Sequence, residues 1–129
     1  MPKQERDAAA HERLPAYLLR EVPGFAESPE LEAVASDLDA AGAVTGALGR
    51  YLLRLQAKAV RLEADAAERG ALDRGYAVLE ELAGSEDDGV RAAVRAEILE
   101  RLRGDDVVVA AVETRLGPRS LALYRRWAV

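Results

Sequence analysis

The sequence predicts an all-α fold: an irregular single-domain bundle of six or seven helices with a solenoid-like C-terminal half. Three observations lead there. Of 129 residues, 26 are Ala and 18 Leu, against one Phe, one Trp and four Tyr; Ala, Leu, Arg and Glu are strong helix formers, and apart from Val the strand formers are scarce. Apolar residues recur at steps of three and four along nearly the whole chain, which is the period of one helix face. Short Gly-, Pro- and acid-marked connections of about two to six residues separate these runs, as between antiparallel neighbours in a bundle. A chain of this length makes one domain, burying roughly 65–70% of its unfolded surface.

Residues 3–13 alternate charge with Ala and are expected to form a helix that frays, because little apolar surface is there to dock it. Pro15 suits the first turn of the next helix, which carries Tyr17, Leu18 and Val22 and closes at Pro23-Gly24. Ser28-Pro29-Glu30 combines an N-cap hydroxyl, a proline at the first position and a carboxylate at the positive end of the helix dipole. The helix it starts carries Leu31, Val34 and Leu38 and stops at Gly42. Val44, Leu48, Leu52, Leu55, Ala59 and Leu62 step by 4, 4, 3, 4 and 3, predicting one long helix over about 44–69 that Gly70 ends or bends. Leu72, Tyr76, Leu79 and Leu82 predict a further helix to Gly84, and Ser85–Asp88 a turn whose carboxylates cap the next helix.

Val90, Val94, Ile98 and Leu102 then repeat at intervals of four, up to Gly104. Asp105-Asp106 cap a short helix through about Leu116, which Gly117-Pro118 ends. Within it Val107-Val108-Val109 has the propensity of a strand, but it would have no second strand to pair with, so helix is expected. Leu121, Tyr124 and Trp127 form a last amphipathic set. Segments 71–84, 88–103 and 106–116 together read as helix, acidic turn, helix, turn, helix, the plan of a solenoid unit. A repeat array needs at least three similar units, and the first half of the chain shows none.

Several function classes lack their residues. With no Cys there is no thiol chemistry or disulfide. The one His, His11, precedes Glu12 without a second His at i+4, so the zinc-protease motif is missing. Ser28, Ser36, Ser85, Ser120, Thr45 and Thr114 include good caps but no nucleophile elbow. Asp65-x-x-Glu68 and Glu97-x-x-Glu100 place acids on neighbouring helical positions without a His to complete a metal site; beside Arg95 and Arg101 they read as a solvated face with weak ion pairs. Gly42, Gly46 and Gly49 match no phosphate loop. Their steps of 4 and 3 put them on one helical side, where another helix can approach closely or the chain can hinge. The expectation is therefore a chain that is no enzyme and uses no cofactor or metal. Met1–Arg13 has no apolar stretch of a signal peptide, and the longest apolar run, Val107–Val112, is too short for a membrane helix of roughly 20 residues, so a cytoplasmic location is expected.

The charge pattern is segregated. The formal net charge is −5. Between Glu21 and Asp39 there are six acids and no base (Glu21, Glu27, Glu30, Glu32, Asp37, Asp39), and between Arg50 and Arg61 four bases and no acid (Arg50, Arg54, Lys58, Arg61). Glu80, Glu81, Glu86, Asp87 and Asp88 surround the turn near 85. Two readings compete: the acidic helix pairs with the basic ridge after it, or the acids form a docking face for a basic partner. Nucleic acid along the Arg50–Arg61 ridge fits poorly with the net charge and with Tyr51 as the one aromatic nearby. At the chain end, Tyr124 and Trp127 with Arg125 and Arg126 are residue types of interface hot spots, although a terminal Trp more often anchors its helix to the core.

Val78-Leu79-Glu80, Asp88-Gly89-Val90-Arg91, Ile98-Leu99-Glu100-Arg101-Leu102 and Leu116-Gly117-Pro118 add a resemblance over roughly residues 72–120. There the chain resembles a family of small all-helical bacterial proteins regarded as immunity factors against toxins delivered between bacteria. The resemblance carries no catalytic residue with it and implies a binding protein that covers a toxin's active surface. The candidate partner-binding residues are Glu30, Glu32, Asp37 and Asp39, then Glu86, Asp87 and Asp88. The alternative is a homodimeric helical adaptor or regulatory scaffold that uses the glycine face at 42–49 or the C-terminal aromatic helix.

Overall fold

A computed structural model describes residues 13–37, 41–103 and 105–125. The expectations for residues 3–12 with His11, for Leu38 and Asp39, for Gly104 and for Trp127 lie outside the described residues. Seven α-helices and no strand occur among the described residues, and none of the helices is long and apolar enough to cross a membrane. They are α1 (Leu14–Glu21), α2 (Pro29–Glu32), α3 (Ala41–Val60), α4 (Ala66–Ala83), α5 (Asp88–Ala93), α6 (Asp106–Arg115) and α7 (Pro118–Arg125). Val107–Val109 is helical, as expected.

α3 is the axis of the bundle. Val44, Ala47, Leu48, Tyr51, Leu52 and Leu55 are buried along it, and α1, α2, α4, α6 and the segment after α5 all pack against it. The C-terminal half keeps the helix–turn–helix order of a solenoid unit, but α6 returns to α3 and α7 to α4 rather than touching only chain neighbours. α1 buries Leu14 and Leu18 and has Pro15 in its first turn. After it Gly24 turns at φ 77°, where a Cβ would stand 2.7 Å from the Tyr51 hydroxyl. Phe25 is then buried with its ring 5.6 Å from that of Tyr51.

α2 is a single turn, shorter than the helix predicted to reach Gly42. The Ser28 hydroxyl accepts from Leu31 N (3.2 Å) and donates to Phe25 O (2.7 Å), and Leu31 docks in the core. Beyond Glu32 the chain passes into a 3-10 turn at Ala35–Asp37. One isolated helical turn costs more than it gains, so α2 extends only as far as its cap and buried Leu31 hold it.

α3 ends at Val60, not near 69, and Gly70 lies within α4 rather than stopping a helix. Glu63 N donates to Lys58 O (2.8 Å) and Leu62 N to Ala59 O (3.1 Å), the paired bonds of a Schellman stop. Leu62 takes the left-handed position at φ 59°, which costs a residue bearing a Cβ roughly 1–2 kcal/mol. α4 then starts from a capping box: Glu68 N donates to Asp65 Oδ1 (2.8 Å) and Asp65 N to Glu68 Oε1 (3.0 Å).

The run of four-residue steps folds differently from a plain α-helix. α5 leads into a π-helical turn at Val94–Leu99 and a 3-10 turn at Glu100–Leu102. In an ideal α-helix three steps of four would carry the stripe roughly 120° around the axis. A π turn, bonded i to i+5, unwinds that drift, and Val90, Val94, Ile98 and Leu102 are all buried. The widened turn lies on the glycine face of α3: a Cβ on Gly49 would stand 2.5 Å from Glu97 O and 3.1 Å from Ile98 Cα. The close approach expected of Gly46 and Gly49 is therefore made within the chain. Gly42 has open space around it.

Candidate partner-binding surface

The acidic segment divides into fastened and unfastened residues. Glu30 is fastened. Its carboxylate accepts from Arg54 Nε (2.8 Å) and Nη2 (3.1 Å), a fork that fixes orientation as well as distance. Arg54 in turn lies 5.6 Å from the Tyr51 ring centroid, and the Tyr51 hydroxyl donates to Pro23 O (3.0 Å). Partial burial works against the Glu30 charge, but the Arg54 hydrogen bonds outweigh it and hold the carboxyl below its ordinary 4.5. Glu30 ties α2 to α3 and presents little free charge to a partner.

Two more cations of the basic ridge are paired with acids later in the chain. Lys58 Nζ meets Glu68 Oε2 at 2.5 Å and Arg61 Nε meets Glu63 Oε2 at 3.2 Å. Arg50 acts on Glu30 only through space. The internal-pairing reading thus holds for Glu30 and Arg54; Lys58 and Arg61 are neutralised from α4 and from the connector.

Near residue 85 the acids cap and brace. Asp87 is the N-cap of α5, its Oδ1 accepting from Gly89 N (2.7 Å) and Val90 N (3.3 Å). Asp88 pairs with Arg91, which also donates to Ser85 O. Glu86 is exposed. Glu80 reaches across to α7, accepting from Arg119 N (3.0 Å), Ser120 N (3.0 Å) and Ser120 Oγ (2.9 Å). Burial opposes its ionisation, yet these donors keep its carboxyl below the ordinary range.

Glu32 and Glu27 differ from all of these. Both are exposed, and no hydrogen bond or ion pair joins the side chain of either to a described residue. They flank a shallow hollow of about 300 Å³ lined by Ala26, Ser28, Leu31 and Ala35. Asp37 closes the next 3-10 turn. The charge pattern alone does not single out Glu27; its position directly before the Ser28 cap, outside the helix, is the signal that marks it.

A second cleft, of about 420 Å³, lies between α1 and the end of α4. Leu14, Leu82 and Val90 supply its apolar lining, and Arg13, Arg20 and Glu81 its charged lining. The Tyr17 hydroxyl donates to Glu81 Oε2 at 2.7 Å. Burial, then this bond to a carboxylate and its charge, pushes the Tyr17 phenol up to about 12. No group of three or more His, Cys, Asp or Glu positioned to hold a metal ion occurs among the described residues. The glycine face offered to the adaptor reading is occupied by the π turn at Gly46 and Gly49, and Tyr124 of the C-terminal helix is buried, its hydroxyl donating to Leu102 O (3.2 Å).

These ionisations give stability a defined pH window. Folded-state values below 4.5 for Glu30 and Glu80 mean that their contribution is present above about that pH and is lost as pH falls through the folded values. Tyr17, raised from 10.0 to about 12, favours the fold below pH 10 and withdraws that contribution as pH rises from 10 towards 12. Urea midpoints measured from pH 3 to pH 11 are expected to form a plateau between these limits. In Glu30→Gln the acid limb becomes shallower; an unchanged acid limb would contradict the Arg54 fastening.

Comparison with protein-family models, with curated proteins and with solved structures finds no match to this chain.

Proposed function

We propose that this chain is a non-enzymatic protein-binding domain that docks a basic partner on the hollow beside α2, in the manner of an immunity protein covering the active surface of a cognate toxin. One observation carries the reading: two carboxylates whose side chains have no partner among the described residues, Glu27 and Glu32, line one hollow together with the apolar Ala26, Leu31 and Ala35. That arrangement suits a Lys or Arg of the partner, whose aliphatic stem covers apolar surface while its cation meets the acids. Glu30 and Asp87 are occupied in holding the fold, so binding and stability are assigned to different residues. Charges of this exposed kind govern encounter rate and partner choice more than raw affinity.

The test is co-expression with the products of adjacent genes, scored by a stable complex and by rescue of growth. In a complex so found, Glu27→Lys combined with Glu32→Lys is expected to slow association at least roughly tenfold at low salt, with thermal stability unchanged. Glu30→Gln is expected to do the reverse, lowering stability with little effect on association. Absence of both complex and rescue with every neighbouring product rejects the reading.

A further inference from the structure

Every residue that lines the hollow beside α2, from Ala26 to Ala35, belongs to one short stretch of chain. Over residues 26–36 only Ser28 and Leu31 are buried; Glu30 and Val34 are half-buried and the rest are exposed. Phe25 before the stretch and Val44 in α3 after it are fully buried, so firm anchors flank a piece that rests on little. α2, the one α-helical turn in it, packs against α3. α1, by contrast, buries Leu14 and Leu18 and packs against both α3 and α4.

Leu31 and Glu30 hold the stretch down. Leu31 reaches the core, and the Glu30 carboxylate accepts two hydrogen bonds from Arg54 of α3. The Ser28 hydroxyl accepts from Leu31 N and donates to Phe25 O, which orders the turn without tying it to another helix. Few buried apolar contacts and exposed backbone mark the parts of a protein that open locally, below the free energy of global unfolding. A single helical turn has no stability of its own to oppose this.

We propose that residues 26–36 form a strap that opens from α3 while the rest of the bundle stays folded, with Leu31 as its anchor and the Glu30–Arg54 pair as its catch, and that the docking hollow exists only while the strap is shut. The opening follows from the contacts above; its role in docking rests on the function proposed for the hollow. Glu27 precedes the Ser28 cap and Glu32 ends α2, so a partner cation that meets both carboxylates spans the turn and holds it shut. A partner that binds the shut form alone shifts the strap toward that form, and its apparent affinity scales with the shut fraction.

Residue-resolved hydrogen exchange of the full chain tests the strap. The amides of Glu32, Ala33 and Val34, which donate to Ser28 O (3.1 Å), Pro29 O (3.0 Å) and Leu31 O (3.0 Å), report on it. Those of the fully buried Leu48 and Leu52 report on the core. In wild type the strap amides are expected to be at least roughly tenfold less protected than the core amides, and indifferent to low urea, which speeds exchange in the core. Glu30→Gln is expected to speed strap exchange about fivefold, from a population that remains mainly shut. Glu80→Ala loosens α7 and is expected to speed the core amides while leaving the strap amides unchanged, because opening the strap breaks none of the Glu80 bonds. Strap amides as protected as the core, unchanged strap exchange in Glu30→Gln, or equal acceleration of both sets in Glu80→Ala would each overturn the opening. In a complex isolated by co-expression, strap exchange is expected to slow. If the free-chain results hold and the complex leaves strap exchange unchanged, the docking role of the hollow is overturned and the opening stands.

Discussion

Gly49→Val is expected to destabilise the protein by about 3 kcal/mol, near the upper end of what overpacking costs. In domains whose whole stability is roughly 5–15 kcal/mol, this corresponds to a fall in Tm on the order of 10 °C. The reason lies in what the new side chain meets. A Cβ at 49 would stand 2.5 Å from Glu97 O and 3.1 Å from Ile98 Cα. These are backbone atoms of the π turn, which cannot rotate aside, so α3 and the π turn must separate and uncover Leu48, Leu52, Ile98 and Leu99, all fully buried. Gly70→Ala supplies the control, since open space surrounds that site. There the helix propensity of Ala is expected to add up to about 1 kcal/mol. Chemical denaturation of both variants measures the contrast; a Gly49→Val protein as stable as wild type would show that the two segments do not meet as described.

Glu80→Ala is expected to cost roughly 2–3 kcal/mol, a large effect for a partly exposed acid. Its carboxylate accepts three hydrogen bonds from the start of α7, and hydrogen bonds to charged groups contribute more than neutral ones. Ser120 is fully buried, so its donors cannot turn to water when the acceptor is removed. The loss is expected to be local in origin. α7 is fastened at one end by Glu80 and at the other by Arg103, which donates to Tyr124 O and lies 4.4 Å from the Tyr124 ring centroid. Glu80→Gln is expected to recover part of the loss, because an amide oxygen can accept but carries no charge. Urea melts at pH 7 give the magnitudes, and a Glu80→Ala midpoint equal to that of wild type would refute the capping role.

Features that depend on neighbours along the chain are legible in the sequence. Ser28-Pro29 and Asp105-Asp106 mark helix starts, and the spacing of Gly46 and Gly49 announces a close helix approach. The boundary at 61–65 escapes periodicity for a specific cause. Leu62 continues the three-and-four rhythm of the α3 stripe although it faces solvent, so the pattern runs straight through the break. Asp65-x-x-Glu68, weighed only as a pair of acids, is the capping signature that places the start of α4. Four-residue steps at Val90–Leu102 likewise carry the π turn in plain view, as a period too long for an α-helix.

The charges are legible as a pattern but not as pairs. Glu30 meets Arg54, Glu21 meets Arg74, Asp73 meets Arg115 and Glu80 meets Ser120, partners separated by 24, 53, 42 and 40 residues. Pairing at such distances is set by how helices stack, which composition does not encode. Hence Glu30, Asp87 and Asp88 look equivalent to Glu32 in sequence, although each of the three already has a structural partner.

The central position of α3 bears on how the chain would tolerate being cut. A nick in the 61–65 connector leaves α3 in one fragment and most of its covering helices in the other, so neither piece owns an interior. Each half is expected to stay unstructured by itself and to gain helicity only on mixing, which makes this domain a natural candidate for a split reporter.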